Sequence, residues 1–105
     1  MDEELRAFAD PTRRQILKLV WENEMTAGEV AVGFDISRPA ISQHLRVLLD
    51  AELVAVRGEG TRRFYRANSK SLSALRIFVE EFWDESLTHL KQKTEREQKA
   101  LDKNE

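Results

Sequence analysis

Residues 35 to 49 read "DISRPAISQHLRVLL". Ala40, Ile41, Leu45, Leu48 and Leu49 recur at the spacing that lines one stripe of an α-helix. Ser37 stands where an N-cap hydroxyl belongs, and Pro39 falls in the first turn, where a missing N–H is tolerated. The helix is expected to end near Ala51 and Glu52. On or near its other face lie Ser37, Arg38, Ser42, Gln43, His44 and Arg46. Serine, glutamine, histidine and arginine outnumber the lysine and glutamate of an idle solvated surface. The face is therefore read as one that touches a partner.

Just upstream, Thr26 and Glu29 form a capping box that opens the short helix "AGEVAVGF", with Val30 and Phe34 turned inward. Asp35 and Ile36 make the tight connection to the next helix. Before these, Asp10 caps and Pro11 starts the helix "PTRRQILKLVWENE", whose Ile16, Leu17, Val20 and Trp21 are expected in the core. Residues 2 to 9, "DEELRAFA", suit a short first helix with Leu5 and Phe8 on one face. Downstream, "LVAVRGEGTRRFYRAN" holds two β-rich runs around Gly58-Glu59-Gly60, a hairpin with Arg57, Arg62 and Arg63 near its tip. From Ser71 a long helix carries Leu72, Leu75, Val79, Phe82, Ser86 and Leu90 along one stripe, widened by Phe78, Trp83 and Leu87. The expected fold is mainly α with a small β-hairpin, in the order α-α-α-α-β-β-α. Residues 1–90 are expected to form one domain, and the charged residues 91–105 a helix end or disordered tail.

With no cysteine among its 105 residues, the chain has no disulfide framework and no thiolate metal site. No apolar run approaches a membrane span, and the acidic start "MDEELRAFAD" is unlike a signal peptide. A cytoplasmic protein without membrane contact is expected. The total charge of −2 argues at first against a nucleic-acid partner. Its distribution argues the other way. Between residues 37 and 67 six arginines and no lysine stand against three carboxylates, a local balance of +3. Arginine makes bidentate contacts to phosphate and guanine that lysine does not.

Two short helices joined by a tight turn and followed by a hairpin make a winged helix-turn-helix. The second helix of such a motif enters the DNA major groove with its N-terminal residues leading. Gln43 suits adenine and arginine suits guanine. Serine hydroxyls and helix N-terminal amides suit phosphate. Arg62 and Arg63 would reach the minor groove or its phosphates. His44 either touches a phosphate or packs at the helix edge. The candidate DNA-binding set is Ser37, Arg38, Ser42, Gln43, His44, Arg46, Arg57, Arg62 and Arg63. No nucleophile–base pair, glycine-rich phosphate loop or metal cluster is present, so no enzyme and no cofactor are expected.

The stretches "FADPTRRQIL", "TAGEVAVGFDISRPAISQHLRVLLDAELV" and "VRGEGTRRFYRAN" resemble the opening helix, reading unit and wing of the ArsR family of small dimeric winged-helix repressors. The resemblance spans roughly residues 5 to 90. It implies homodimerisation, operator binding and repression, often released by an inducer. Many such proteins sense metals. The family's cysteine-type site aligns with Thr26, Ala27 and Gly28, which offer no thiolate. Its last-helix site aligns with Ser69, Ser71, Phe82 and Glu85, of which only Glu85 matches. The chain more closely resembles the metal-independent members.

The last helix carries more large apolar residues than a small core needs, which points to an interface. Leu72, Leu75, Val79, Phe82, Trp83 and Leu87, with Leu5 and Phe8, are the expected dimer contacts. The expected partners are double-stranded DNA, a second copy and an unidentified inducer or partner protein. Two other readings stand beside this one. The first is a winged-helix interaction module without DNA. The second is a metal-responsive repressor using a non-standard Glu85–His89 site.

Overall fold

Side-chain caps set where the helices begin. In the computed structural model Asp10 Oδ1 accepts the Arg13 backbone N–H at 3.1 Å, and Ser37 Oγ accepts that of Ala40 at 3.3 Å. Thr26 and Glu29 exchange both bonds of a capping box, at 3.1 and 3.2 Å. The elements are α1 (Asp2–Ala9), α2 (Pro11–Glu22), α3 (Ala27–Val32), α4 (Arg38–Asp50), β1 (Val54–Glu59), β2 (Arg62–Ala67) and α5 (Ser69–Lys103). Their order is the one expected. The structure describes residues 1–103, with side chains described through residue 90. Residues 104 and 105 and the side chains of 91–103, on which the expected charged tail falls, lie outside the described residues.

A helix leaves its last four carbonyls without intrahelical partners. In α1 these belong to Arg6, Ala7, Phe8 and Ala9, and the two consecutive arginines of α2 take all four. Arg13 Nε donates to Ala7 O at 2.7 Å and its Nη2 to Arg6 O at 3.1 Å. Arg14 Nη1 donates to Phe8 O at 2.9 Å and Ala9 O at 2.8 Å. The turn between α1 and α2 is thereby fastened from one side.

The core lies where α2, α3 and α4 meet the base of the hairpin. Ile16, Leu17, Val20, Val30, Ile41, Leu45, Leu48, Leu53 and Val54 are all buried. Each such side chain contributes about 1.5–3 kcal/mol relative to exposure. Trp21, expected in this core, is 55% exposed. At 100° per residue it falls beyond Leu17, at the margin of the α2 stripe. Phe34, Ala40 and Leu49 are only half-buried, so the buried seam of α4 narrows to Ile41, Leu45 and Leu48.

Past Asp50 the chain turns through Glu52 at φ 60. The Leu53 N–H donates to Leu48 O at 2.9 Å and the Glu52 N–H to Leu49 O at 3.0 Å, the paired bonds of a Schellman ending. Glutamate here occupies the position that usually takes glycine. Asn68 steadies it by donating from Nδ2 to Glu52 O at 3.0 Å. The Asn68 Oδ1 accepts the Ser71 N–H at 3.3 Å. This cap starts α5 at Ser69, two residues before the position expected from sequence.

The hairpin register is Val54↔Ala67, Val56↔Tyr65, Arg57↔Phe64, Gly58↔Arg63 and Glu59↔Arg62. The reversal is therefore at Gly60-Thr61, not centred on Glu59. Gly60 takes φ 62, which suits glycine as first residue of a two-residue turn. Met25, between α2 and α3, adds a bridge to the free side of β2, with Tyr65 N to Met25 O at 2.7 Å and Met25 N to Tyr65 O at 2.9 Å.

The chain divides into two compact units, Met1–Leu75 and Arg76–Glu105, and the division falls within α5. In the first unit Leu75, expected at an interface, is only 4% exposed and belongs to the protomer's own core. No described helix is long and apolar enough to cross a membrane.

The narrow α4 seam yields a stability test. Leu48→Ala should lower the unfolding free energy by about 2–5 kcal/mol in urea denaturation. Val47→Ala, on the exposed side of the same turn, should cost no more than about 0.5 kcal/mol. Equal losses would contradict the burial described for this helix.

Candidate nucleic-acid interface

Burial of Ile41, Leu45 and Leu48 fixes the rotation of α4, and that rotation decides which polar groups face outward. Arg38, Ser42, Gln43 and Arg46 are exposed, whereas His44 is half-buried at the flank. Ser37 spends its acceptor oxygen on the cap and keeps its O–H to donate. Among the described residues, the side chains of Ser42 and Gln43 make no hydrogen bond. Among the described residues Arg46 is held only by an exposed helical pair with Asp50 at 3.2 Å. Such pairs contribute little and yield easily to a competing anion.

A groove of about 360 Å³ separates the start of α4 from the hairpin. Thr26, Ala27, Arg38, Thr61, Arg62, Arg63 and Tyr65 line it. Three of the candidate arginines thus converge on one groove, although Arg38 stands more than twenty residues from the other two in sequence. The Arg38 guanidinium passes over Gly28, where an added Cβ would sit in ordinary contact, 3.4 Å from Arg38 Nη2.

The hairpin arginines are not equivalent. Arg57, placed by sequence among the DNA contacts, is exposed but pairs with groups of the chain itself. Its Nε donates to Glu24 Oε2 at 2.8 Å, its Nη1 to Glu59 at 3.0 Å, and its Nη2 also to Glu24. Its guanidinium stacks over Phe64 at 4.6 Å. The hydrogen bonds from Arg57 hold the Glu24 carboxyl below the usual carboxylate range. Glu59, which would repel a phosphate, is partly neutralised by the same arginine. Arg62 is looser, 62% exposed at its side chain, 3.6 Å from Glu29 and 5.0 Å from the Phe64 ring. Arg63 is exposed and has no ion pair among the described residues.

His44 and Arg13 meet, with Arg13 Nη1 at 3.3 Å from His44 Nδ1. Sequence reasoning did not single out Arg13. Periodicity reports which helix faces are apolar, and Arg13 acts across a tertiary junction. The Glu24–Arg57 pair, 33 residues apart, was invisible for the same reason.

Elsewhere, the expected apolar surface is present. Phe78, Phe82, Trp83, Leu87 and Leu90 of α5 are exposed, Phe82 by 60%, and the Phe82 and Trp83 rings meet edge-on at 6.3 Å. Val79 is half-buried. In the first unit Leu5 and Leu72 are half-buried and Phe8 is exposed. Phe8, Arg14, Leu17, Lys18, Trp21 and Leu72 line a mostly apolar groove of about 260 Å³. Asp84, Glu85, Thr88 and His89 border a shallow hollow on α5. Among the described residues no group of three or more His, Asp or Glu is placed to hold a metal ion.

Comparison with known proteins gives concordant findings. The model of the bacterial regulatory protein arsR family matches residues 10–56. The chain is 44% identical over 87 residues to the HTH-type transcriptional regulator Rv2034 of Mycobacterium tuberculosis, covering 83% of this chain and 81% of that protein. It is 42% identical over 72 residues to the transcriptional repressor SdpR of Bacillus subtilis, covering 69% and 80% respectively. Its fold is similar to the solution structure of the homodimeric winged helix-turn-helix DNA-binding domain Mb0332 of Mycobacterium bovis. There the TM-score is 0.65 at 30% identity, covering 80% of this chain and 78% of that one.

The Asp10 cap carries a pH signature. The Arg13 backbone N–H, and less strongly the Arg13 guanidinium, hold its carboxyl below the ordinary value, partly opposed by burial. A carboxyl lowered on folding stabilises above its unfolded pKa, and the benefit fades as pH falls through the folded value. Asp10→Ala should therefore cost about 0.5–2 kcal/mol at neutral pH. The gap from wild type should shrink in denaturation series taken below about pH 4. A gap that holds constant into acid would contradict the charged cap.

Proposed function

The chain belongs to the ArsR family of bacterial regulatory proteins, and we propose that it acts as a homodimeric repressor on an inverted-repeat operator. It is a transcriptional regulator, not an enzyme. The finer assignment is supported above all by the outward set on α4, continuous with the arginine-lined groove beside the hairpin. In this reading Gln43 and Arg46 meet base edges in the major groove. Arg38, Arg62 and Arg63 receive a backbone phosphate in the groove they share. Ser37 and Ser42 donate to neighbouring phosphates. Arg57 stiffens the wing and is left out of the contact set.

A second copy is supported by the α5 surface. Phe82, Trp83 and Leu87, with Phe78 and Leu90, form a stripe too apolar to leave in water. Val79 lies on the same helix, half-buried, and Leu5, Phe8 and Leu72 of the first unit are proposed as further contacts. Dimerisation would set the two reading helices about 34–36 Å apart, one turn of DNA. The homodimeric assembly of the Mycobacterium bovis domain and the repressor role of the Bacillus subtilis protein point the same way. The site of action is then the cytoplasm, where a bacterial chromosome lies. Among the described residues no feature assigns an inducer.

Selection of bound genomic fragments, followed by polarisation titration at several salt concentrations, tests this reading. Arg63→Ala should weaken binding alike across sequences and reduce the salt slope by about one. Gln43→Ala should relax preference at a single base pair, by about 1–3 kcal/mol. A preferred sequence unchanged by Gln43→Ala, or a salt slope unchanged by Arg63→Ala, would contradict these roles.

A further inference from the structure

We propose that Arg13 fixes the tautomer of His44, so that His44 presents its Nε2–H to a phosphate oxygen of the bound duplex. The proposal rests on the DNA-reading role above and adds a positioning residue and a contact to it. A guanidinium has five donors and no acceptor. The nitrogen 3.3 Å from Arg13 Nη1 must therefore be the acceptor, and that nitrogen is His44 Nδ1. The ring's proton then resides on Nε2. One ring nitrogen held by a fixed partner decides the chemistry offered by the other.

Arg13 is suited to this because it cannot easily turn away. Its Nε and Nη2 are bound to the Ala7 and Arg6 carbonyls at 2.7 and 3.1 Å. Asp10 Oδ2 lies 3.9 Å from Nη1, and the Arg13 side chain is only 17% exposed. Four neighbours from α1, the α2 cap and α4 thus surround one planar fork. The sequence places the arginine three residues after the Asp10 cap, so the same turn that starts α2 aims the guanidinium at α4.

His44 has the complementary features. It is half-buried, and among the described residues its Nε2 has no hydrogen-bond partner. No fully buried polar side-chain atom is left unpaired among those residues, so Nε2 retains access to an outside acceptor. On the helix circumference His44 lies between the buried seam and outward-facing Gln43. A helix seated in the major groove meets base edges with its outermost residues and the groove wall with its flank. That wall is sugar and phosphate, which take hydrogen-bond donors.

The test combines ring nitrogen spectroscopy with binding of the selected operator fragment. In the free wild-type chain, long-range proton–nitrogen spectra should show His44 Nδ1 unprotonated and Nε2 protonated. Arg13→Met should admit the other tautomer. His44→Gln places an amide donor near the Nε2 position and should keep affinity within about threefold of wild type. His44→Asn places it near Nδ1 instead and should weaken binding about tenfold or more, the scale of one lost hydrogen bond to a charged acceptor. A protonated Nδ1 in wild type overturns the tautomer assignment. Equal losses in His44→Gln and His44→Asn overturn the phosphate contact. A wild-type chain that binds no duplex overturns the DNA-reading role and the phosphate contact with it, while the ring spectrum still decides the tautomer.

Discussion

Burial of three side chains, Ile41, Leu45 and Leu48, governs what this molecule offers to its surroundings. They lock α4 against the core at one rotation. A rotation of one residue, about 100°, would carry Gln43 and Arg46 away from the outward face. The seam is narrow, which leaves most of the α4 circumference free for polar groups. The Schellman ending and the Ser37 cap fix the two ends of the same helix. Shape and chemistry at the surface follow from apolar contacts buried beneath it.

Arginine does two kinds of work here, and geometry separates them. Arg13, Arg14 and Arg57 satisfy carbonyls, carboxylates and an aromatic face within the protein. Arg38, Arg62 and Arg63 surround an open groove. The first group shapes the turn before α2 and stiffens the wing, and the second lines a surface proposed to meet an anion. An acidic total charge is thus compatible with a nucleic-acid partner, because local cations and their freedom matter more than the sum. Glu29 belongs to both kinds of work, closing the α3 capping box and holding Arg62 loosely at 3.6 Å.

Much of this was legible in the sequence, since local rules govern most of the elements. Asp10, Thr26 and Ser37 announce helix starts by hydroxyl or carboxylate chemistry, and all three cap as expected. The hairpin could be recognised, but its exact reversal could not, because Gly58 and Gly60 compete and only strand pairing decides. Trp21 was misplaced because a stripe read from spacing has no sharp margin. The start of α5 was hidden in Asn68, whose side chain serves both Glu52 and Ser71. The pairing of Arg57 with Glu24 and the contacts of Arg13 to α1 and α4 were missed because they join separate parts of the chain. Long-range pairing leaves no periodic trace.

The account is most directly tested by following backbone amide resonances of the isotope-labelled chain while operator duplex is added. The expected result is a contiguous set of shifts over residues 37–46 and the Gly60–Arg63 end of the hairpin, with the Ile16 and Val20 amides unmoved. Shifts confined to other surfaces, or a spectrum that duplex leaves unchanged, would contradict it.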